Sequence, residues 1–206
     1  MKKDKDFSRN LGFGKPVLVE RFGQEKAEAI LQEAADLYDQ LKPNIPSFKS
    51  AGNRMLFKMM LFVLPLYRAL LQDTSKDEAL SITRGCFFKA LDGGFQASWI
   101  LRTVHRTPFL IRLFRRWIIR NINTADEPEG WKYEKLTFGK GFLYSFSVER
   151  CGIHTFFKKQ GAPELVQMIC EGDYYIIKYF PEGVRLTRTQ TIAECAEFCD
   201  FYYGLE

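Results

Sequence analysis

The sequence predicts an α+β fold: a helical N-terminal half packed on a C-terminal antiparallel sheet with short helices. Three observations carry this reading. Apolar residues recur at helical spacing through the first half of the chain. At "NTADEPEG", Asn123 to Gly130, proline, glycine and acidic residues form a connector. Beyond it, β-forming residues alternate in short runs. Residues 1–124 are therefore read as a helical region and 125–206 as an α+β region, together forming one compact domain.

In "KAEAILQEAADLYDQL", Ala27, Ile30, Ala34, Tyr38 and Leu41 share one helix face, and Pro43 and Pro46 end that helix. Arg54 to Leu71 reads as a second helix, bent at Pro65. Ser75 and Glu78 form a capping box for a third, from Lys76 to about Leu91, which Gly93 and Gly94 break. Thr107 and Pro108 open the helix "FLIRLFRRWIIRNI" as N-cap and first residue. That helix sets Arg112, Arg115, Arg116 and Arg120 beside Phe109, Leu113, Phe114, Trp117 and Ile118. Such a helix can lie on an anionic membrane surface. The preferred reading is a core-facing helix with its arginines in solvent.

After the connector, "WKYEKLTF", "FLYSFSVER" and "VRLTRTQT" read as strands, with a hairpin turn at Gly139-Lys140-Gly141. "GIHTFFKKQG" reads as a short helix ended by Gly161. The segment from Pro163 is helical through Cys170, and "DYYIIKYF" fits either helix or strand.

Composition narrows the function. Hydrophobic residues at 46% and charged residues at 27% are ordinary for a soluble globular protein. A formal charge of +5, dispersed along the chain, does not point to nucleic acid. The opening "MKKDKDFSRN" has lysines but no apolar stretch after them, so no secretory signal is read there. Five cysteines at wide spacing indicate free thiols in a reducing, cytoplasmic compartment. Phosphate-binding glycine loops, HExxH and GxSxG are all absent.

The candidate chemistry lies in the last third. Cys151 stands where a strand gives way to a helix, and a thiol at a helix N-terminus feels the positive end of the dipole. His154, one turn on, can take a proton from it. Cys170 and Asp173 share a face if their helix continues. Cys199 and Asp200 are adjacent, so in a strand only one faces a given pocket. Cys151, His154, Cys170 and Cys199 also form a possible metal set, although no CxxC is present.

"CGIHTFFKKQGAPELVQMICEGDYY" and "RLTRTQTIAECAEFCDFYY" resemble the L-2-amino-thiazoline-4-carboxylic acid hydrolase family. The matching residues are Cys151, Gly161, Glu164-Leu165, Cys170 with Asp173, Arg188-Thr189-Gln190-Thr191 and Cys199-Asp200-Phe201. "EPEGWKYE" matches as well. Cys195 stands where the family often has glycine. The resemblance implies hydrolysis of a non-peptide carbon–nitrogen bond in a small cyclic amidine, such as a 2-amino-thiazoline carboxylate, giving N-carbamoyl-cysteine. It implies Cys151 or Cys170 as nucleophile and Asp173 and Asp200 as proton-handling or orienting groups. Arg188, with Thr189 and Thr191, would bind substrate. The implied partner is a small molecule, with no cofactor and no nucleic acid. The alternatives are carboxylates that activate water directly, or a non-catalytic small-ligand or metal-binding thiol sensor of the same fold.

Overall fold

The computed structural model describes residues 4–205. The leading lysines at positions 2 and 3 lie outside them. Nine α-helices and four strands are found among the described residues, and the class is α+β. The chain divides into two compact units. One takes the chain up to Pro46 together with Phe57–Gly94. The other takes Ser47–Leu56 and the chain from Phe95 onward.

The first unit is helical. Helix α1 (Lys5–Phe22) and α2 (Gln24–Leu41) pack together, and α2 also packs on α4 (Val63–Leu70). The five residues expected on the inner face of α2 are the five that are buried. α3 (Ala51–Met60) ends before α4, so the second expected helix is two. The break falls at Leu61 and Phe62 rather than at Pro65. A proline cannot donate to the carbonyl four residues back, here that of Leu61, so the helix parts there and restarts with Pro65 in its first turn.

α5 (Lys76–Ala97) runs straight through Gly93 and Gly94, which were expected to end it. Gly93 serves packing instead: a Cβ on it would lie 2.4 Å from the ring of Phe13. The capping box is half made. The Glu78 amide donates to Ser75 Oγ at 3.3 Å, while the Glu78 carboxylate pairs with Arg21 at 2.5 Å.

The second unit holds α6 (Trp99–Arg106), α7 (Pro108–Ile122), the sheet, α8 (Gly152–Lys159) and α9 (Glu164–Tyr175). Strands β1 (Lys132–Gly139), β2 (Phe142–Arg150), β3 (Val184–Thr187) and β4 (Cys199–Leu205) form one antiparallel sheet in the order β1-β2-β4-β3. "DYYIIKYF" resolves as the end of α9 and a 3-10 turn over Ile176–Tyr179.

The arginines of α7 do not all reach solvent, which corrects the sequence expectation. Arg112 donates to the carbonyls of Gly139, Phe142 and Leu143, tying α7 to the hairpin. Arg115 donates to the Tyr144 hydroxyl at 3.0 Å. His105 is buried as well, bonded to the Leu101 carbonyl and set edge-on to Phe95 and Phe180. Burial and then Arg115 push its pKa down to about 4, so it is neutral and structural.

Candidate functional site

Register builds the floor of the site. Val148 faces Cys199, Phe146 faces Phe201 and Tyr144 faces Tyr203 across β2 and β4. Side chains alternate along a strand, so these six share one face of the sheet. Tyr133 of β1 joins them against Phe146. Two guanidiniums lie on this aromatic face. Arg115 sits over Tyr144, Phe146 and Tyr203, and Arg188 over Phe201 and Tyr174.

Polar packing fixes where Cys151 stands. Asn53, fully buried, donates to Glu127 Oε2 at 2.7 Å and accepts from the Trp131 amide at 3.1 Å. Trp131 in turn lies against Gly152, where a Cβ would come within 3.0 Å of its ring. The "EPEGW" stretch thus seats the start of α8, and Cys151 is the N-cap residue of that helix. The backbone N–H groups of Ile153 and His154 face its sulfur without closing a side-chain cap bond.

From α9, Asp173 and Cys170 reach the same place. Arg188 Nη1 donates to Asp173 Oδ2 at 3.0 Å, and Nη2 to the Cys170 carbonyl at 3.3 Å. Cys199 sits at the start of β4, its sulfur accepting from the Ile192 amide at 3.2 Å. The three thiols lie near enough to Asp173 for its charge to disfavour a thiolate at each, and Asp173 feels Arg188 and Arg115 together. Cys151, Cys170, Cys199, Asp173 and Arg188 are therefore gathered, and Arg115 is a member that the sequence reading left in solvent.

The cluster is partly open to solvent. 37% of the Asp173 side chain is accessible, while Arg188 is only 7% accessible. Arg115, Cys151 and Tyr133 are half-buried. A separate crevice of about 380 Å³ lies between α1 and α2. Its polar groups satisfy one another, as where Tyr38 donates to Asp4 at 3.0 Å, and it holds none of the candidate residues.

Electrostatics assign protonation states. Burial raises all three thiols, Cys151 to about 12, so they are neutral at physiological pH. Burial also lifts the Asp173 carboxyl, against the pull of Arg188 and Arg115. Arg115 keeps its charge despite burial, its Nε donating to the Tyr144 hydroxyl.

The remaining candidates have structural bonds. Asp200 points away from Cys199 and accepts from the Thr189 amide and hydroxyl and the Gln190 amide, at 2.7 to 3.1 Å. It thereby clamps the loop that carries Arg188. Thr191 caps the 3-10 turn Ile192–Glu194 and bonds Glu194. His154 meets Cys151 through its backbone, while its ring feels burial and then Lys158. Cys195 is exposed and left-handed at φ 68°, the conformation that glycine adopts without strain. Among the described residues no three His, Cys, Asp or Glu side chains are grouped to hold a metal ion, and this includes Cys151, His154, Cys170 and Cys199.

The Asp200 clamp gives an expected result. Burial works against its charge, but the loop hydrogen bonds prevail and hold its pKa below the ordinary value. Its contribution is present above the unfolded pKa and lost as pH falls through the lower, folded value. Asp200→Ala is expected to cost about 1–3 kcal/mol at pH 7, less in acid, and to speed hydrogen exchange at Thr189 and Gln190. Unchanged exchange at both amides would contradict the clamp.

The sequence profile described as L-2-amino-thiazoline-4-carboxylic acid hydrolase matches residues 53–203, so the chain belongs to that family. The match begins at Asn53, the buried residue that seats the "EPEGW" stretch. No curated protein and no solved structure matches the chain. No helix among the described residues is long and apolar enough to cross a membrane.

Proposed function

We propose that this member of the L-2-amino-thiazoline-4-carboxylic acid hydrolase family opens a small cyclic amidine that bears a carboxylate. A 2-amino-thiazoline-4-carboxylate, converted to N-carbamoyl-cysteine, fits that description. The observation that carries the reading is the cluster itself, in which the Asp173 carboxyl pairs with Arg188 and feels Arg115, among three thiols, beside the aromatic face of the sheet.

That product keeps both nitrogens on the former C2. The expected carbon–nitrogen cleavage therefore gives way to carbon–sulfur cleavage. Water oxygen adds to C2, and one water proton ends on the ring nitrogen. The tetrahedral carbon then expels sulfur, which takes the other proton and leaves as a thiol. Asp173 is suited to carry that proton, because burial raises its pKa above the ordinary aspartate value and so makes it the stronger base. Arg188 positions Asp173. Arg115, with no carboxylate bonded to it and part of its surface open, is suited to the substrate carboxylate. Asp200 and Thr189 shape the loop, and Cys170 and Cys199 flank Asp173.

Protonated thiols favour water as the nucleophile. One observation favours a second route: the Ile153 and His154 amides face the Cys151 sulfur and would stabilise a thiolate there. In that route the sulfur attacks C2, the ring sulfur leaves, and water releases the product from an amidino-thioether. The water route expects Cys151→Ser to retain activity within about tenfold, with no covalent species in the intact mass. Loss of about 10³-fold or more, together with such a species in the parent, would establish the covalent route instead.

The proposal is tested by incubating the protein with 2-amino-thiazoline-4-carboxylate. A product heavier by one water, with one new thiol per turnover, is expected. Unchanged substrate in the presence of folded protein would remove this substrate from the reading.

A further inference from the structure

The outer face of α7 is unlike the rest of the surface. Phe109, Leu113 and Trp117 follow one another at four-residue spacing and are 66%, 48% and 53% exposed. Arg116 and Arg120 fall on the same face by helical spacing, and both are exposed. Neither has an acidic partner among the described residues; Arg116 lies over the Phe138 ring instead. Just before α7, Trp99 and Ile100 of α6 are also exposed, at 69% and 57%. From Ser98 to Thr124 the sequence has six arginines and no acidic residue.

Exposed tryptophans and phenylalanines on a soluble surface mark an interaction site. Here the inner face of the same helix is fully engaged: Ile111, Ile118, Ile119 and Ile122 are buried, and Arg112 and Arg115 bond the sheet. The outward apolar stripe is therefore surplus to folding.

We propose that α7, with the start of α6, docks on an anionic lipid surface. Trp and Phe are suited to the headgroup–acyl boundary, and arginines beside them can extend their guanidiniums to phosphates. Charge complementarity selects this occupant. A second copy of the chain meeting the same face about a two-fold axis would bring arginines against arginines with no acids between them. A neutral apolar partner would leave Arg116 and Arg120 unpaired. The mode is peripheral, with α7 lying in the interface plane. The stripe lies on the side of α7 opposite Arg115, so the docking face and the candidate site share one helix. The inference stands independently of the reaction proposed above.

The test is flotation of the full chain with vesicles of phosphatidylcholine alone and of phosphatidylcholine with about 30% phosphatidylserine. Binding to the anionic vesicles is expected, with a blue shift of tryptophan emission from Trp99 and Trp117. High salt should weaken binding about tenfold or more. Phe109→Ala with Trp117→Ala should lower binding about tenfold or more, and Arg116→Gln with Arg120→Gln should remove most of its salt dependence. All four positions are exposed, so both variants should keep the parent's melting temperature and hydrolase activity. No binding to anionic vesicles would overturn the proposal, as would equal binding to pure phosphatidylcholine or binding unchanged in the apolar variant. Self-association that Phe109→Ala with Trp117→Ala abolishes, without lipid binding, would assign the face to a second copy.

Discussion

Asp173→Asn is expected to lower ring hydrolysis by about 10²- to 10⁴-fold, the range typical of a lost general acid–base group, with the fold intact. Asparagine keeps the shape and still offers an oxygen to Arg188, whose bond to Asp173 is 3.0 Å. What it removes is the ability to take and return a proton. Burial lifts the carboxyl above its usual range, so the parent's rate should fall on the acid side at a pH higher than an ordinary aspartate would give. That acid limb should be missing from whatever activity the asparagine variant retains. The stability effect has the opposite sign from Asp200. A carboxyl whose folded pKa is raised favours folding below its unfolded pKa, and that contribution is lost as pH rises through the folded value. Asp173→Asn should therefore be no less stable than the parent at pH 7, as thermal unfolding would show. Asp173→Ala differs, because it leaves Arg188 confined without its carboxylate, which costs about 3–5 kcal/mol for a fully buried pair and less here, where Asp173 is partly open. An asparagine variant with the parent's rate would rule out Asp173 as the proton carrier.

Arg115→Met should raise KM about 10²-fold, with a much smaller change in kcat, since paired charge-assisted hydrogen bonds to a carboxylate are worth about 2–3 kcal/mol. The guanidinium lies over the aromatic face of the sheet, bonded to the Tyr144 hydroxyl and to no carboxylate oxygen. Methionine fills similar volume over Tyr144 and Tyr203 without the desolvation cost of a charge, so the melting temperature should hold or rise. A thiazoline lacking the 4-carboxylate separates binding from general damage: parent and variant should process it equally. Arg188→Met should behave differently, lowering kcat through loss of the group that orients Asp173. If Arg115→Met changes kcat and leaves KM alone, the substrate carboxylate binds elsewhere.

Much of this fold is written locally. The inner face of α2 follows from spacing alone, because a 3.6-residue period leaves few choices for Ala27, Ile30 and Ala34. Gly93 and Gly94 misled because their reason for being glycine is the ring of Phe13, eighty residues earlier in the chain. β4 escaped notice because "CDFYYG" is short and its strand character comes from pairing with β2 and β3. The candidate cluster was legible as a set of residue types, through Cys151, Cys170, Asp173, Arg188 and Cys199. Their roles were not, since nothing in a heptad of arginines and aromatics tells which guanidinium faces a distant sheet. Arg115 differs from Arg116 by one position in sequence and by the whole environment in space. Asp200, beside Cys199 in sequence, is separated from it by the strand's alternation and belongs to the loop.

The embedding of Asn53 in the second unit bears on how the chain acquires its structure. Asn53 and Glu127 are 74 residues apart, and the intervening chain supplies the end of α3, all of α4 and most of α5 to the other unit. A nascent chain leaving the ribosome must therefore wait for Glu127 and Trp131 before Asn53 can satisfy its amide. Closing so long a loop is slow even though its added entropy cost is modest, so high contact order is concentrated at the seat of Cys151. The candidate site should be among the last regions to mature. A chain shortened to begin after α5 would keep every candidate catalytic residue but leave the Trp131 amide without the partner that holds α8 in place.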